Sequence, residues 1–486
     1  MSVQKGSKVI LMFAVLLLFA PVLAASSANW STPINLTGDH MMEVFRFTGC
    51  ADGTQALYYP IFNPTTLSGT LWARVRSPQG AWSAAQDLSG PLTPATVFGL
   101  QYWDVGISPD GTAWAVWTIK DSTKPAGSDI FVMESHRAPG GLWSAAQTLS
   151  GGVTTIRSVD FHTGPDGHVA AVWVECDSTS SDLSMGNCNV NTRYRFPGAP
   201  DWEPIIKVDQ SAAGVAEAAV RVGPGGMAVV VWNEASAKGS NQWMVMSKGF
   251  DPATGWEPNL TAISGVLQPR DDRWLAEPVM DLGGTFVAAW TAVTSADPNK
   301  DANYSNTRLT SGVWGTPVQI SKAYPAHNLE RPKLAVGHNG TLVGAWVANE
   351  TGSMSKSNGL YANARDPGSP WGVEQRVSPL EDNLSLYGLE VWPDGTAVAL
   401  WKTSDLSRSA TEDEGVFWSA RHAGSWGIGG GGEGQLGSWV DELNGAALKL
   451  GNDGSATAIW AVKDTSKPSG SNSWVQRSKW SSYKCS

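Results

Sequence analysis

Helical periodicity is missing from this chain. Beyond residue 24, no window repeats apolar side chains every three to four positions, which argues against helical bundles, coiled coils and α/β folds. Charge is sparse as well: 16% of the 486 residues are Asp, Glu, Lys or Arg. The 34 basic residues form no run and are outnumbered by 44 acidic ones, giving a net charge of −10. An acidic chain without basic clusters argues against nucleic acid and anionic membrane surfaces as partners. There is no Gly-x-Ser-x-Gly elbow and no Cys–His nucleophile pattern. His162 and His168 flank a turn with no third ligand, and the Asp-bearing turns lack the acidic density of a calcium loop. No metal and no cofactor is therefore expected. The run GIGGGG at residues 427–432 formally matches Gly-x-Gly-x-x-Gly but has no strand-to-helix setting, so it reads as a loop.

One long apolar run does occur, at the start. Lys5 and Lys8 precede the apolar segment 9–20, and Val22-Leu-Ala24 supplies small-residue cleavage chemistry. Residues 1–24 are expected to be a signal peptide, leaving 25–486 as the mature chain with a net charge of −12, since two lysines leave. The segment is short for a membrane anchor, and no second span follows.

What the chain has is one phrase repeated eight times. Each copy carries a turn ending in Gly, an alanine-rich apolar run and an aromatic residue six positions later. The copies read CADGTQALYY, SPDGTAWAVW, GPDGHVAAVW, GPGGMAVVVW, DLGGTFVAAW, GHNGTLVGAW, WPDGTAVALW and GNDGSATAIW. Their glycines run from Gly53 through Gly111, Gly167, Gly226, Gly284, Gly340 and Gly395 to Gly454, about 57 residues apart on average. A second marker, of the type WSAAQDLSG, recurs out of phase at Trp82, Trp143, Trp202, Trp256, Trp314 and Trp371. Weaker copies start at Trp426 and Trp480, and one precedes the array at Trp30. Between the markers lie alternating runs rich in aromatic and β-branched residues.

Each unit thus reads as four short strands: A leading into the Gly turn, B the Ala-rich run, C the alternating run and D the Trp marker. Such units cannot bury their apolar faces singly and must stack. The fold class is all-β, a β-propeller of eight four-stranded blades, with seven as the alternative, forming a single domain over 25–486. The extra copy at Trp30 is expected to lie on the last blade and close the ring.

Four cysteines in an exported chain suggest two disulfides. Cys176 and Cys188 share a B-to-C loop and should pair with each other. Cys50 and Cys485 remain, and would staple the ends of the ring. The strand phase makes this second bridge awkward, because it sets Cys50 on an inner strand and Cys485 on an outer one.

Strand parity decides where function can sit. The A-to-B and C-to-D turns lie on one face and are tight. The B-to-C and D-to-A loops lie on the other face and include the long segments 120–128, 175–189, 233–242, 291–303 and 348–358. Function on rigid scaffolds collects on such loops. The starts of the A strands ring the channel mouth on this same face, and they carry unexpected charge. Arg46, Asp104, Arg157, Asp160, Arg273, Glu277 and Arg331 are the candidate ligand-binding residues, with Tyr102, Glu217, Glu330 and Tyr387 close by. Converging charges serve either a ligand or a solvated channel lined by internal ion pairs.

The arrangement resembles the sialidase-like, BNR-type repeat propellers of exported bacterial proteins. The segment SPDGTAW at 108–114 is the nearest to that family's Asp-box, differing in having Gly directly after Asp. The resemblance implies an arginine cluster for a substrate carboxylate, here Arg46, Arg157, Arg273 and Arg331. It also implies a Tyr nucleophile, Tyr102 or Tyr387, and an acid, Asp104 or Asp160. The chain departs from the family in blade number, eight against six, and in carrying FRFT at 45–48 where a Phe-Arg-Ile-Pro segment is usual.

Three functions are compatible with these features. The first is an exported, monomeric binding module that takes carbohydrate or an extracellular protein on its loop-rich face. The alternatives are a carbohydrate-active enzyme, either a sialidase-type hydrolase or a polysaccharide lyase, and a structural envelope or matrix protein. Localisation is expected to be secreted, extracellular or periplasmic.

Overall fold

A computed structural model of the protein describes residues 34–36, 45–50, 52–63, 68–78, 80–88, 102–121, 123–177, 187–209, 214–237, 242–265, 278–294, 296–297, 299–325, 328–350, 357–405, 407–408, 413–422, 424–427, 433–451, 455–463 and 473–480. The expected leader, Trp30, Arg273, Glu277, Gly454 and Cys485 lie outside the described residues.

The repeat begins with its turn. Gly53, Gly111, Gly167, Gly226, Gly284, Gly340 and Gly395 all have positive φ, between 77° and 91°. Each donates its N–H to the carbonyl three residues back, as Gly111 does to Ser108 at 2.8 Å. This is a type I turn followed by a left-handed glycine, a hairpin connection that matches the twist of the flanking strands. The Asp before the Gly closes the turn from the side: Asp110 accepts from the Thr112 N–H and hydroxyl, both at 2.9 Å.

Strand B follows, for example Ala113–Lys120, Val169–Cys176 and Ala228–Ala235. It runs about three residues beyond its Trp rather than ending there. Both of its faces are covered, which explains an unbroken apolar run where a half-exposed strand would alternate. In the third blade, Ala170, Val172 and Val174 face the fourth blade, while Val169, Ala171 and Trp173 face the second. Eight such inter-blade cores exist, the last joining Ile459 and Ala461 to Phe45, Phe47, Leu57 and Tyr59 of the first blade.

The sheets number eight, each antiparallel in the order A-B-C-D. The A strands are Arg46–Gly49, Trp103–Ile107, Thr155–Thr163, Val215–Val222, Val279–Met280, Lys333–Val336, Asn383–Val391 and Glu442–Leu450. Each touches the next, and the eighth touches the first, so the ring closes around a central channel. Eight blades, not seven, complete it. In the eighth blade the outer strand is Ile34–Asn35, paired with Arg477 and Gln476. The segment after Trp30 therefore closes the ring as its marker implies.

Strand D is shorter than its marker suggests. In the second blade the outer strand is Gln147–Thr148, with one further bridge from Val153 to Ile130, and in the fourth, fifth and seventh the outer edge is split in two. Its Trp instead turns into the preceding blade: Trp314 Nε1 donates to Ser247 Oγ at 2.8 Å, and Trp371 Nε1 to Ser305 Oγ at 2.9 Å. Broken edges also resist pairing with other chains. The marker at Trp480 needs correction: Trp480 ends strand C of the eighth blade, opposite Ala456, rather than opening an outer strand.

Candidate functional site

The loop-rich face holds the charged starts of the A strands, and the structure divides them into two groups. The first group binds blade to blade. Asp104 accepts the N–H of Val105 at 2.8 Å and that of Phe161, in the next blade, at 3.0 Å. Asp160 repeats this one blade on, accepting from the Val220 N–H at 2.7 Å and from Arg221 Nη1 at 3.0 Å. Ser158 and His162 flank it and accept from the N–H groups of Ala218 and Val222. A-strand backbones of neighbouring blades lie too far around the ring to pair directly, and side chains bridge the gap. Arg46 stands apart: it is exposed, with its guanidinium 5.4 Å from the Trp103 ring centre.

The second group converges. Arg331, just before strand A of the sixth blade, reaches past the fifth to Glu217 of the fourth, Nη1 to Oε2 3.5 Å. The pair is open to water, with half of the Arg331 side-chain surface exposed. Glu217 and Arg157 both act on Tyr102. Burial pushes the Tyr102 hydroxyl up, Arg157 opposes this and Glu217 adds to it. Arg157 is half-buried and donates Nε to Cys176 Sγ at 3.0 Å. Cys176 forms the expected disulfide with Cys188, at the root of the third blade's B-to-C loop. The bridge thus ties the end of strand B to the start of strand C and holds a partner for the guanidinium beside it.

Glu330 sits next to Arg331. It carries solvent-exposed surface, yet protein crowds it from most sides. Crowding dominates and pushes its carboxyl up to about 7, against the opposing pull of Lys333 and Arg331. Tyr387 is raised by burial and then by the negative charges of Glu414 and Glu330. Glu414 pairs with Lys402 at 2.6 Å, and Glu442 with Lys463 at 2.7 Å.

Tyr102, Arg157, Arg331 and Tyr387 are therefore brought to one mouth together with Glu217 and Glu330. Asp104 and Asp160 have oxygens committed to neighbouring backbone. Arg273 and Glu277 lie outside the described residues. Lys402 and Glu414 escaped sequence reasoning. They flank the B-to-C loop of the seventh blade, and strand parity, applied to B ends and C starts as well as to A starts, points to them. Chemically, the mouth offers guanidinium groups for a carboxylate, carboxylates for hydroxyls, and a carboxyl that changes charge near neutral pH.

Among the described residues, no cluster of three His, Cys, Asp or Glu side chains has metal-binding geometry. His162 is taken up by the Val222 N–H, and His168 packs against Tyr194 and Phe196. No described helix is long and apolar enough to cross a membrane.

No protein-family profile matches the sequence, and no curated protein matches it. Among solved structures, the β-propeller domain of the Trilobed protease from Pyrococcus furiosus is similar at 10% identity and a TM-score of 0.43, over 83% of this chain and 97% of that one. An ulvan lyase, a polysaccharide lyase, is similar at 10% identity and a TM-score of 0.46, over 76% and 90%. An α-L-arabinanase from Penicillium chrysogenum is similar at 13% identity and a TM-score of 0.37, over 66% and 92%. At these values the likenesses carry no argument about substrate or chemistry, which rest on the side chains of this chain.

Proposed function

We propose that the protein is an exported binding module that takes an acidic glycan at the channel mouth on its loop-rich face. The observation that carries this reading is the Arg331–Glu217 pair, 3.5 Å apart and exposed, with Tyr102 and Arg157 beside it. An exposed ion pair contributes little to stability, and a ligand carboxylate can exchange for Glu217 on the guanidinium. Ring hydroxyls would then find Glu217, Glu330 and Tyr102. The Cys176–Cys188 disulfide fits an oxidising compartment.

A glycan array tests the proposal with the wild type and the Arg331→Ala and Arg157→Ala variants. Binding to uronate- or sialate-bearing glycans, weakened roughly 10- to 100-fold in each variant, is the expected result, about 1.4–3 kcal/mol per lost guanidinium. Unchanged binding in both removes the mouth as the site. Binding to no glycan transfers the reading to a protein partner or a structural role.

A second reading has its own support. A carboxyl that titrates near 7 is suited to general-acid work, and Glu330 lies beside Tyr387. Arg157 and Arg331, near Tyr102 and Glu217, also match part of the arginine cluster and Tyr–Glu pair that sialidase-type hydrolysis requires. Turnover of acidic aryl glycosides that is lost in Glu330→Gln would favour the enzyme over the binding module.

A further inference from the structure

On the opposite, tight-turn face, a groove of about 550 Å³ opens between the second and third blades. Its floor departs from the repeat. Register aligns Glu134 of strand C with Ala73, Thr192, Ser247, Ser305, Ala362, Trp418 and Arg477 in the other blades. A carboxylate stands where every other blade but the seventh and eighth has a small uncharged side chain, and it is fully buried. Burying a charge is unfavourable unless it is paired, and a small neutral residue would avoid it. Glu134 is paired with His136 Nδ1 at 3.3 Å and Trp202 Nε1 at 3.4 Å.

A carboxylate only accepts hydrogen bonds, so it fixes the proton on Nδ1 and leaves Nε2 for other partners. The His136 ring lies over Trp114, centroids 4.6 Å apart at 28°, and a quarter of its surface is open. The Arg195 guanidinium lies 5.0 Å from the centre of the same Trp114 ring. Its Nε donates to the Ala199 carbonyl at 2.9 Å. Among the described residues it forms no ion pair, whereas Arg308 at the same register pairs with Glu257. At the rim, both oxygens of Asp110 serve Thr112, while Asp166 accepts the Gly225 N–H through Oδ2 alone. Phe196 and Pro197 form an apolar wall.

We propose that this groove is a second binding site, for a single uronic acid residue of a glycan. The sugar carboxylate meets the Arg195 guanidinium, ring hydroxyls meet His136 Nε2 and Asp166 Oδ1, and the apolar ring face lies on Phe196. The rim carboxylates repel a compact dianion such as phosphate or sulfate but accept hydroxyls, which selects a hydroxylated monoanion. The site is independent of the channel mouth, which lies at the other end of the blades.

The test follows the imidazole signals of histidine-labelled protein by ¹H–¹⁵N spectroscopy, with His136→Gln assigning the relevant one. Sodium glucuronate should shift the His136 Nε2 signal with a millimolar-range Kd, as suits one sugar residue. Glucose and acetate should each bind at least tenfold more weakly. Arg195→Gln should lose at least tenfold in glucuronate affinity. Arg195→Lys, which keeps the charge but not the planar fork, should fall between, and covers the case in which Arg195→Gln fails to fold. A His136 signal unmoved by glucuronate, equal responses to glucose or acetate, or undiminished affinity in both Arg195 variants overturns the proposal. Because the readout sits on His136, failure at the channel mouth would leave this result unaffected.

Discussion

At the scale of single residues, Glu330 is a carboxyl whose state changes near neutral pH. Burial raises its folded pKa to about 7, from an ordinary glutamate value of 4.5. A carboxyl raised on folding favours the folded state fully below its unfolded pKa, and that contribution is lost as pH rises through the folded value. The contribution of Glu330 to melting temperature should therefore fall between about pH 4.5 and pH 7. Asp209 acts in the same direction, raised to about 6 mainly by burial. Comparing wild type with Glu330→Gln isolates Glu330: the variant should show a shallower fall across that window. Parallel curves would mean that channel water solvates the carboxylate as well as bulk water does. Glycine supplies a second residue-scale test. A Cβ on Gly106 would meet Phe161 at 2.8 Å and Thr163 at 2.9 Å across the blade interface, whereas one on Gly151 meets nothing within 4 Å. Gly106→Val should lose about 1–3 kcal/mol in urea unfolding, and Gly151→Ala should stay within about 0.5 kcal/mol.

Elements were legible where one local rule decides them, and obscure where a distant blade decides. The left-handed glycine, its Asp and the apolar run behind it are local, so strands A and B could be located from sequence. Strand D could not be sized, because its Trp is drawn into the preceding blade's strand C some 66 residues away, as Trp371 is to Ser305. The same distance explains the candidate site. Asp104 and Arg157 look alike as charges near A-strand starts, but only the next blade's position shows that Asp104 binds the Phe161 N–H. Glu134 was readable in principle, by aligning the C strands on their terminal arginines and finding the only carboxylate at that position. The Trp hook is testable by a double-mutant cycle. Ser305 is buried, so Trp371→Phe should cost about 1–3 kcal/mol by leaving its hydroxyl without that donor. Adding Ser305→Ala should recover part of the loss, and purely additive effects would show that the bond contributes nothing.

At the scale of the whole molecule, the ring must be held shut where its ends meet. The outer strand Ile34–Asn35 on the eighth blade is one closure. The inner core between Phe45, Tyr59 and Ile459 is another, supported by Gln55 Nε2 donating to Thr457 Oγ1 at 3.0 Å. A third closure, a covalent one, is proposed. Cys50 lies in the first blade's A-to-B turn, where its thiol donates to Asp52 at 2.8 Å and burial pushes its pKa up to about 12. Strand C of the eighth blade ends at Trp480, opposite Ala456 next to Thr457, so the chain leaves on this same tight-turn face. Five further residues reach Cys485, a span of at most about 17 Å. The objection raised by the sequence phase, an inner strand against an outer one, disappears once Trp480 closes strand C. A Cys50–Cys485 disulfide is therefore the expected pairing in exported protein, and it would cross-link almost the entire chain. The chain-entropy limit for so long a loop is about 6 kcal/mol, less here because Ile34–Asn35 already constrains the ends. Non-reducing peptide mapping should recover the linked peptides. Cys50→Ser should lower the melting temperature of oxidised protein, and by less once the wild type is reduced. Finding both residues as thiols in protein prepared under oxidising conditions would leave closure to the outer strand and the hydrophobic seam alone.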